Sequence, residues 1–302
     1  MRAEGQSAHD ECGERDVEMA HERSVVGVSV ARASRVCDRR FAGASGEEIR
    51  RDIEYMTMKC FFQYSRYLFA LAHPDDEIYT CAFIQQLVND GKRVDILFVT
   101  SGDYQGPEMT TVREEEARVS MRLMNVNMAN VHFMRVPERQ LMNQVNAVRE
   151  HILALAATVL PDCSIGHDFE GGHNGHDALS FCTSRVAEEL HIPLYVFPAY
   201  HGRPEERLWN QLVPRREATD TLTLSPEMKM LQGRVMAAHA SQVGFFDIVR
   251  RSSSYEIFTA REILRFVSEP INYAKSPTTP IGYEYPGSPL RFEDFKTAIG
   301  LA

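Results

Sequence analysis

Two short segments carry residue types that do chemistry together. The first is Ala72-His73-Pro74-Asp75-Asp76-Glu77, where His73 and Asp76 stand three residues apart at the mouth of a turn. An imidazole and a carboxylate converging on one cation are a ligand set that suits zinc, and they leave Asp75 free for another task. The second is Glu170-Gly171-Gly172-His173-Asn174-Gly175-His176-Asp177. Its two histidines, approached through glycines, can supply a third ligand and a second catalytic group. A helix start would explain the acidic run Asp75-Asp76-Glu77 but gives no reason for His73.

The elements around these segments must bring them together. From Arg66 onward, short apolar runs alternate with longer amphipathic stretches, the pattern of βα units on a parallel sheet. The runs Tyr67–Ala72, Val94–Thr100, Val131–Val136, Cys163–Gly166 and Leu194–Ala199 predict strands. Helices are expected over 77–89, 111–124, 145–159 and 177–190, with Asp177 as N-cap of the last. Leu222 and Leu224 predict a further strand, Pro226–Ile248 reads as one long helix, and Ser276–Leu290 as irregular chain. The expected fold is α/β: a Rossmann-like, doubly wound, mostly parallel sheet with a C-terminal extension and a poorly ordered N-terminal tail. In a sheet of order 3-2-1-4-5, strands one and four are neighbours, and ligands bind at their carboxyl ends. Both segments start there.

Composition narrows the function. Of 302 residues, 44% are hydrophobic and 25% charged, as in an ordinary globular protein. With 33 Lys+Arg against 42 Asp+Glu, the net charge of −9 argues against a nucleic-acid or anionic-membrane partner. No run approaches the roughly 18 apolar residues of a spanning helix. The six cysteines are scattered without a CxxC pair, and the polar N-terminus lacks an apolar signal core. These features predict reduced thiols and a cytoplasmic location. The division expected is a disordered or loosely helical extension over 1–50, a catalytic domain over 51–250, and an extension over 251–302 packed on the same domain. Assembly into a homo-oligomer is left open.

AHPDDE followed about a hundred residues later by an HxxH segment resembles the PIG-L/LmbE family of N-acetylglucosaminyl deacetylases, over roughly residues 65–245. The resemblance implies a Rossmann-like domain with one zinc per chain, held by His73, Asp76 and His176. Asp75 takes the place of the general base, and His173 that of the histidine that polarises the substrate carbonyl or stabilises the oxyanion. Arg113 and Glu116 match an Arg-x-x-Glu pair, with Arg113 expected to contact substrate. Gly102 and Asp103 are expected to line the pocket, as is Gln242 within His239-Ala240-Ser241-Gln242; His201 is a weaker candidate. The reaction implied is hydrolysis of the N-acetyl group of a small-molecule amino sugar to acetate and a free amine. Zinc with three protein ligands keeps a fourth position for water, whose pKa falls to about 7.

One departure stands out: Asn174-Gly175 replaces the family's usual Pro-Asp. The carboxylate that would tune His173 is therefore missing, with Asp168, Glu170 and Asp177 as substitutes to consider. The alternatives are a non-catalytic sugar- or metal-binding protein on the same fold, or an amidase acting on a non-sugar amide such as a thiol conjugate. A dinucleotide-binding oxidoreductase ranks low, because HPDDE stands where a glycine-rich phosphate loop would be needed. His132, His151, His167 and His191 read as structural or solvated.

Overall fold

The computed structural model describes residues 61–301, all within one unit of the chain. The expectation for residues 1–50 lies outside them. The chain enters with β1 (Arg66–Leu71), β2 (Arg93–Thr100), β3 (Val131–Val136), β4 (Cys163–His167) and β5 (Leu194–Phe197). These pair in parallel in the expected order 3-2-1-4-5. Each is an apolar run because both faces of the sheet are covered.

The alternation along β1 shows the two layers directly. Tyr67, Phe69 and Leu71 face one side, where α1 (Cys81–Asn89), α2 (Met109–Leu123) and α5 (Pro226–Ala238) pack through Phe83, Ile84, Met121 and Val235. Leu68 and Ala70 face the other side, where α3 (Val145–Val159) and α4 (Asn174–Leu190) pack through Val148, Ile152, Leu179 and Val186. This is a doubly wound α/β fold, as expected.

Several expectations are corrected. The sheet has seven strands, because β9 (Arg261–Phe266) runs antiparallel between β5 and β8 (Asp220–Thr223). Residue 250 lies in α6 (Val243–Arg251), and β9 comes from the chain after it. A two-stranded ribbon, β6 (Tyr200–His201) with β7 (Leu208–Trp209), follows β5. The helix expected over 226–248 is two helices broken at His239, whose imidazole is drawn to Glu77 Oε1 at 2.6 Å with both side chains fully buried. The helix expected from Glu77 starts as a single 3-10 turn, Asp76–Tyr79, before α1 begins. α7 (Tyr255–Ala260) and α8 (Phe292–Ala298) were not foreseen, whereas 276–290 is irregular as expected.

The start of α1 is capped from far away in sequence. Its own N-cap residue, Thr80, makes no side-chain capping bond. Instead Glu262 of β9 accepts from the N–H of Ala82 at 2.8 Å and of Phe83 at 2.9 Å. Burial pushes the Glu262 carboxyl up to about 7 against the pull of those N–H groups. Glu262→Ala leaves two buried donors without an acceptor. We expect a loss of roughly 1–3 kcal/mol, read as a lower urea midpoint. An unchanged midpoint would show that the cap adds nothing.

Candidate active site

The loops of β1 and β4 meet at the carboxyl edge of the sheet. After β1 the chain turns at once: the N–H groups of Asp75 and Asp76 both donate to His73 O, at 2.9 and 3.2 Å. Asp76 Oδ2 in turn accepts from the His73 N–H at 2.6 Å, which folds the two side chains onto one centre. After β4 the loop must pass against β6. A Cβ on Gly172 would lie 1.7 Å from the Tyr200 carbonyl oxygen, so no other residue fits that crossing. The loop then enters α4, and His176 in its first turn points back toward β1.

Three donor atoms from these loops converge. His176 Nε2 lies 3.2 Å from His73 Nδ1 and 3.3 Å from Asp76 Oδ1, and His73 Nδ1 lies 3.2 Å from Asp76 Oδ2. Tetrahedral zinc with bonds of about 2.0–2.1 Å sets its ligands roughly 3.3 Å apart, so the spacing fits that ion. The remaining ring nitrogens, His73 Nε2 and His176 Nδ1, are buried without a partner. Two other groups of three also have ligand-like spacing, His73 with His173 and His176, and Asp76 with His167 and His176. In each, one nitrogen of the further imidazole is engaged: His173 Nδ1 accepts from the Gly175 N–H at 3.1 Å, and His167 Nε2 from the Ala72 N–H at 3.2 Å. The set His73, Asp76 and His176 is the one the resemblance implies, and it draws on both loops with neighbouring donor atoms 3.2–3.3 Å apart.

Charge in this cluster is sharply divided. Burial opposes ionisation of Asp76, but His176, His167 and His73 around it hold its carboxyl well below the usual range. Burial also opposes charge on His73, yet Asp76 outweighs it and lifts the imidazole to about 9. Burial and the neighbouring His167 press His176 down to about 3, so that ring is neutral.

Asp75 stands beside the cluster. Arg113 NH2 pairs with its Oδ1 at 2.9 Å and donates to the Pro74 carbonyl at 3.2 Å, while NH1 lies 3.6 Å from Glu138 Oε2. The Arg113 side chain is only 5% exposed, so its guanidinium is committed to holding Asp75. Gly102 makes room for it: its φ is +66°, and a Cβ there would sit 2.7 Å from Arg113 Cδ. Beside a guanidinium, a carboxyl group is ordinarily held down. The Asp75 carboxyl is instead raised, because burial outweighs the Arg113 charge.

The other predicted residues support this frame. Asp103 Oδ1 accepts from the Glu138 N–H at 2.8 Å, tying the loop after β2 to the loop after β3. Glu116 takes both the N–H and the hydroxyl of Ser241, at 2.7 and 2.6 Å, and Gln242 donates to that hydroxyl at 2.9 Å. These bonds fix the His239–Gln242 segment against α2. His201 is buried on the β6–β7 ribbon, outside the donor cluster.

None of the three substitute carboxylates reaches His173. Asp168 is taken by Arg265 at 2.6 Å and Arg216 at 2.9 Å, and Glu170 by the N–H groups of Ala199 and Tyr200, both at 3.0 Å. Asp177 was expected as the N-cap of α4. It accepts instead from the Glu170 and Gly171 N–H groups, and the cap is His173 itself. With Nδ1 accepting from Gly175, the ring proton of His173 sits on Nε2. Burial, with His73 and His176 nearby, holds this imidazole well below its ordinary pKa, so it is a neutral donor.

Two residues of the site escaped the sequence reading. His167 is fully buried, stacks on His176 at 4.1 Å between ring centroids, and lies 3.2 Å from Asp76 Oδ2. Its place as the last residue of β4, at the ligand-binding edge, was the available signal. Glu138, directly after β3, sits at the same edge.

Residues 68–187 match the family model PIG-L: GlcNAc-PI de-N-acetylase. No curated protein matches the sequence. Among solved structures, N,N'-diacetylchitobiose deacetylase from Pyrococcus horikoshii is similar with a TM-score of 0.55 at 16% identity, over 75% of this chain and 94% of that one. The A40926 pseudoaglycone deacetylase Dbv21 gives 0.53 at 16% identity, over 69% and 99%. The zinc-inhibited form of teicoplanin deacetylase gives 0.51 at 14% identity, over 67% and 99%. At such identities the likeness concerns the fold. The segment that carries the family match, residues 68–187, holds both the turn after β1 and the loop after β4.

Proposed function

We propose that this chain is a zinc-dependent deacetylase that hydrolyses the N-acetyl group of an amino sugar, releasing acetate and a free amine. The observation that carries the reading is the triangle of His73 Nδ1, Asp76 and His176 Nε2 at 3.2–3.3 Å with the buried carboxylate of Asp75 beside it. The family model names an N-acetylglucosaminyl substrate, and the similar structures are deacetylases of sugars and glycopeptides, which supports the acetamide. Cys81, Cys163 and Cys182 are free thiols, in keeping with a cytoplasmic site of action, and no helix among the described residues is long and apolar enough to cross a membrane.

In this proposal His73, Asp76 and His176 would hold one zinc, which as a Lewis acid polarises the acetamide carbonyl and lowers the pKa of water at its open position. Asp75 takes the proton of the attacking water on its carboxylate and returns it to the leaving nitrogen. Its burial-raised pKa suits it to carry that proton between the two steps. Arg113 keeps the carboxylate oriented, and the Nε2–H of His173 donates to the carbonyl oxygen as negative charge develops there. Because that donor is neutral and fixed by the Gly175 N–H, it needs no carboxylate partner, which accounts for the absence of the family's usual Pro-Asp.

Zinc uptake must displace the proton that Asp76 stabilises on His73. With that pKa at about 9, the proton is bound below pH 9 and competes there. Apparent zinc affinity should therefore rise about tenfold per pH unit between pH 6.5 and 8.5, measured by chelator competition. A flat profile would contradict the His73–Asp76 coupling.

The function itself is tested by metal analysis of purified protein and mass-spectrometric screening of N-acetylated sugars for replacement of acetyl by hydrogen. Bound zinc with no hydrolysis across sugar and non-sugar acetamides would instead favour a binding protein.

A further inference from the structure

Arg207 lies close enough to the site for its charge to act on His173, and that charge is unanswered. The chain is acidic, with 42 Asp+Glu against 33 Lys+Arg, and its other buried or half-buried arginines near the sheet edge have carboxylate partners. Arg113 holds Asp75, and Arg216 and Arg265 both hold Asp168. Arg207 has no ion pair among the described residues, although the exposed Glu205 and Glu206 directly precede it. Its Nε is buried and unpartnered.

The fold holds this guanidinium in place by other means. The β6–β7 ribbon pairs Tyr200 with Trp209 and His201 with Leu208, so Arg207 lies one residue from the last pair. Its Cζ stands 4.7 Å from the Tyr200 ring centroid and 5.8 Å from that of Trp209. The Tyr200 ring is in turn 5.4 Å from the His176 ring. An arginine laid on two aromatic faces loses part of its hydration and keeps its fork of N–H donors, a geometry that matches a carboxylate or phosphate in two parallel bonds. Anchored beside the donor cluster, it awaits an anion that the described residues do not supply.

We propose that Arg207 forms a recognition subsite for an anionic group, carboxylate or phosphate monoester, carried by the acetamido substrate. The assignment rests on the deacetylase reading for the acetamide, but anion recognition can be measured apart from hydrolysis.

The test is calorimetric titration of zinc-loaded full-length protein with three probes: methyl N-acetylglucosaminide, N-acetylglucosamine 6-phosphate and N-acetylmuramic acid. The wild type should bind at least one anionic probe about tenfold or more tighter than the neutral one, the scale of a charge-assisted pair. The tighter of the two anionic probes identifies the group recognised. Arg207→Gln should erase the preference and leave the neutral probe within about threefold; Arg207→Lys should retain part of it. Equal wild-type binding of all three probes, or an equal loss on all three in Arg207→Gln, overturns the subsite. Should Arg207→Gln fail to fold, the Arg207→Lys and wild-type titrations still decide the matter. Charge-dependent binding without hydrolysis of any probe would sink the deacetylase reading and leave the subsite standing.

Discussion

Replacing Asp75 with asparagine is expected to leave zinc bound and to cut kcat by roughly 10²–10⁴-fold, the range associated with removal of a general base. The substitution preserves size and keeps a carbonyl oxygen for Arg113, now at 2.9 Å from Asp75 Oδ1, so the scaffold should survive. What is lost is a buried carboxylate beside the donor cluster that neither ligates nor caps a helix. Metal content and KM should change little, because the proposed ligands are His73, Asp76 and His176. Turnover close to wild type would remove Asp75 from the reaction, and zinc loss would recast it as a ligand.

His176→Ala is expected to bring zinc content close to zero and activity to background. His176 Nε2 closes the triangle from the β4 side, 3.2 Å from His73 Nδ1 and 3.3 Å from Asp76 Oδ1. Without it the centre keeps two donors, both from one turn, and a two-donor site cannot provide the three protein ligands of a catalytic zinc. Its neighbour His167 has its Nε2 engaged by the Ala72 N–H, which sets it at a disadvantage as a replacement. Stoichiometric zinc in this variant, by elemental analysis after dialysis, would show that His167 or His173 does the holding.

The strands β1 to β5 were legible because a strand buried on both faces must be apolar throughout, and runs such as Arg66–Leu71 have few other uses. The HPDDE and EGGHNGH segments were legible because imidazoles and carboxylates at turns have little structural reason to be there. What escaped was set by tertiary contact. β9 carries Glu262 and Arg265, which break its apolar run, and each is explained only by a distant partner: the start of α1 and Asp168. Helical periodicity runs through Ala238 and Val243 without pause, and the break coincides with the tertiary contacts of His239 with Glu77 and of Ser241 with Glu116. The ion pair of Arg113 with Asp75 likewise joins residues 38 positions apart. The partner of His173 was invisible for a different reason, since a backbone N–H leaves no trace in residue type.

Glu262 reaches across 180 residues of sequence to the N–H of Ala82, one turn beyond the proposed metal ligands. A nascent chain that has emerged only as far as α4 holds both histidine loops, yet the helix below the first of them still lacks its terminal acceptor. The architecture thus defers completion of the reactive centre until β9 slots between β5 and β8, and such long-separation closure is slow. Ribosome-bound intermediates should accordingly bind metal poorly, and competence should arrive as a late, abrupt event in biogenesis.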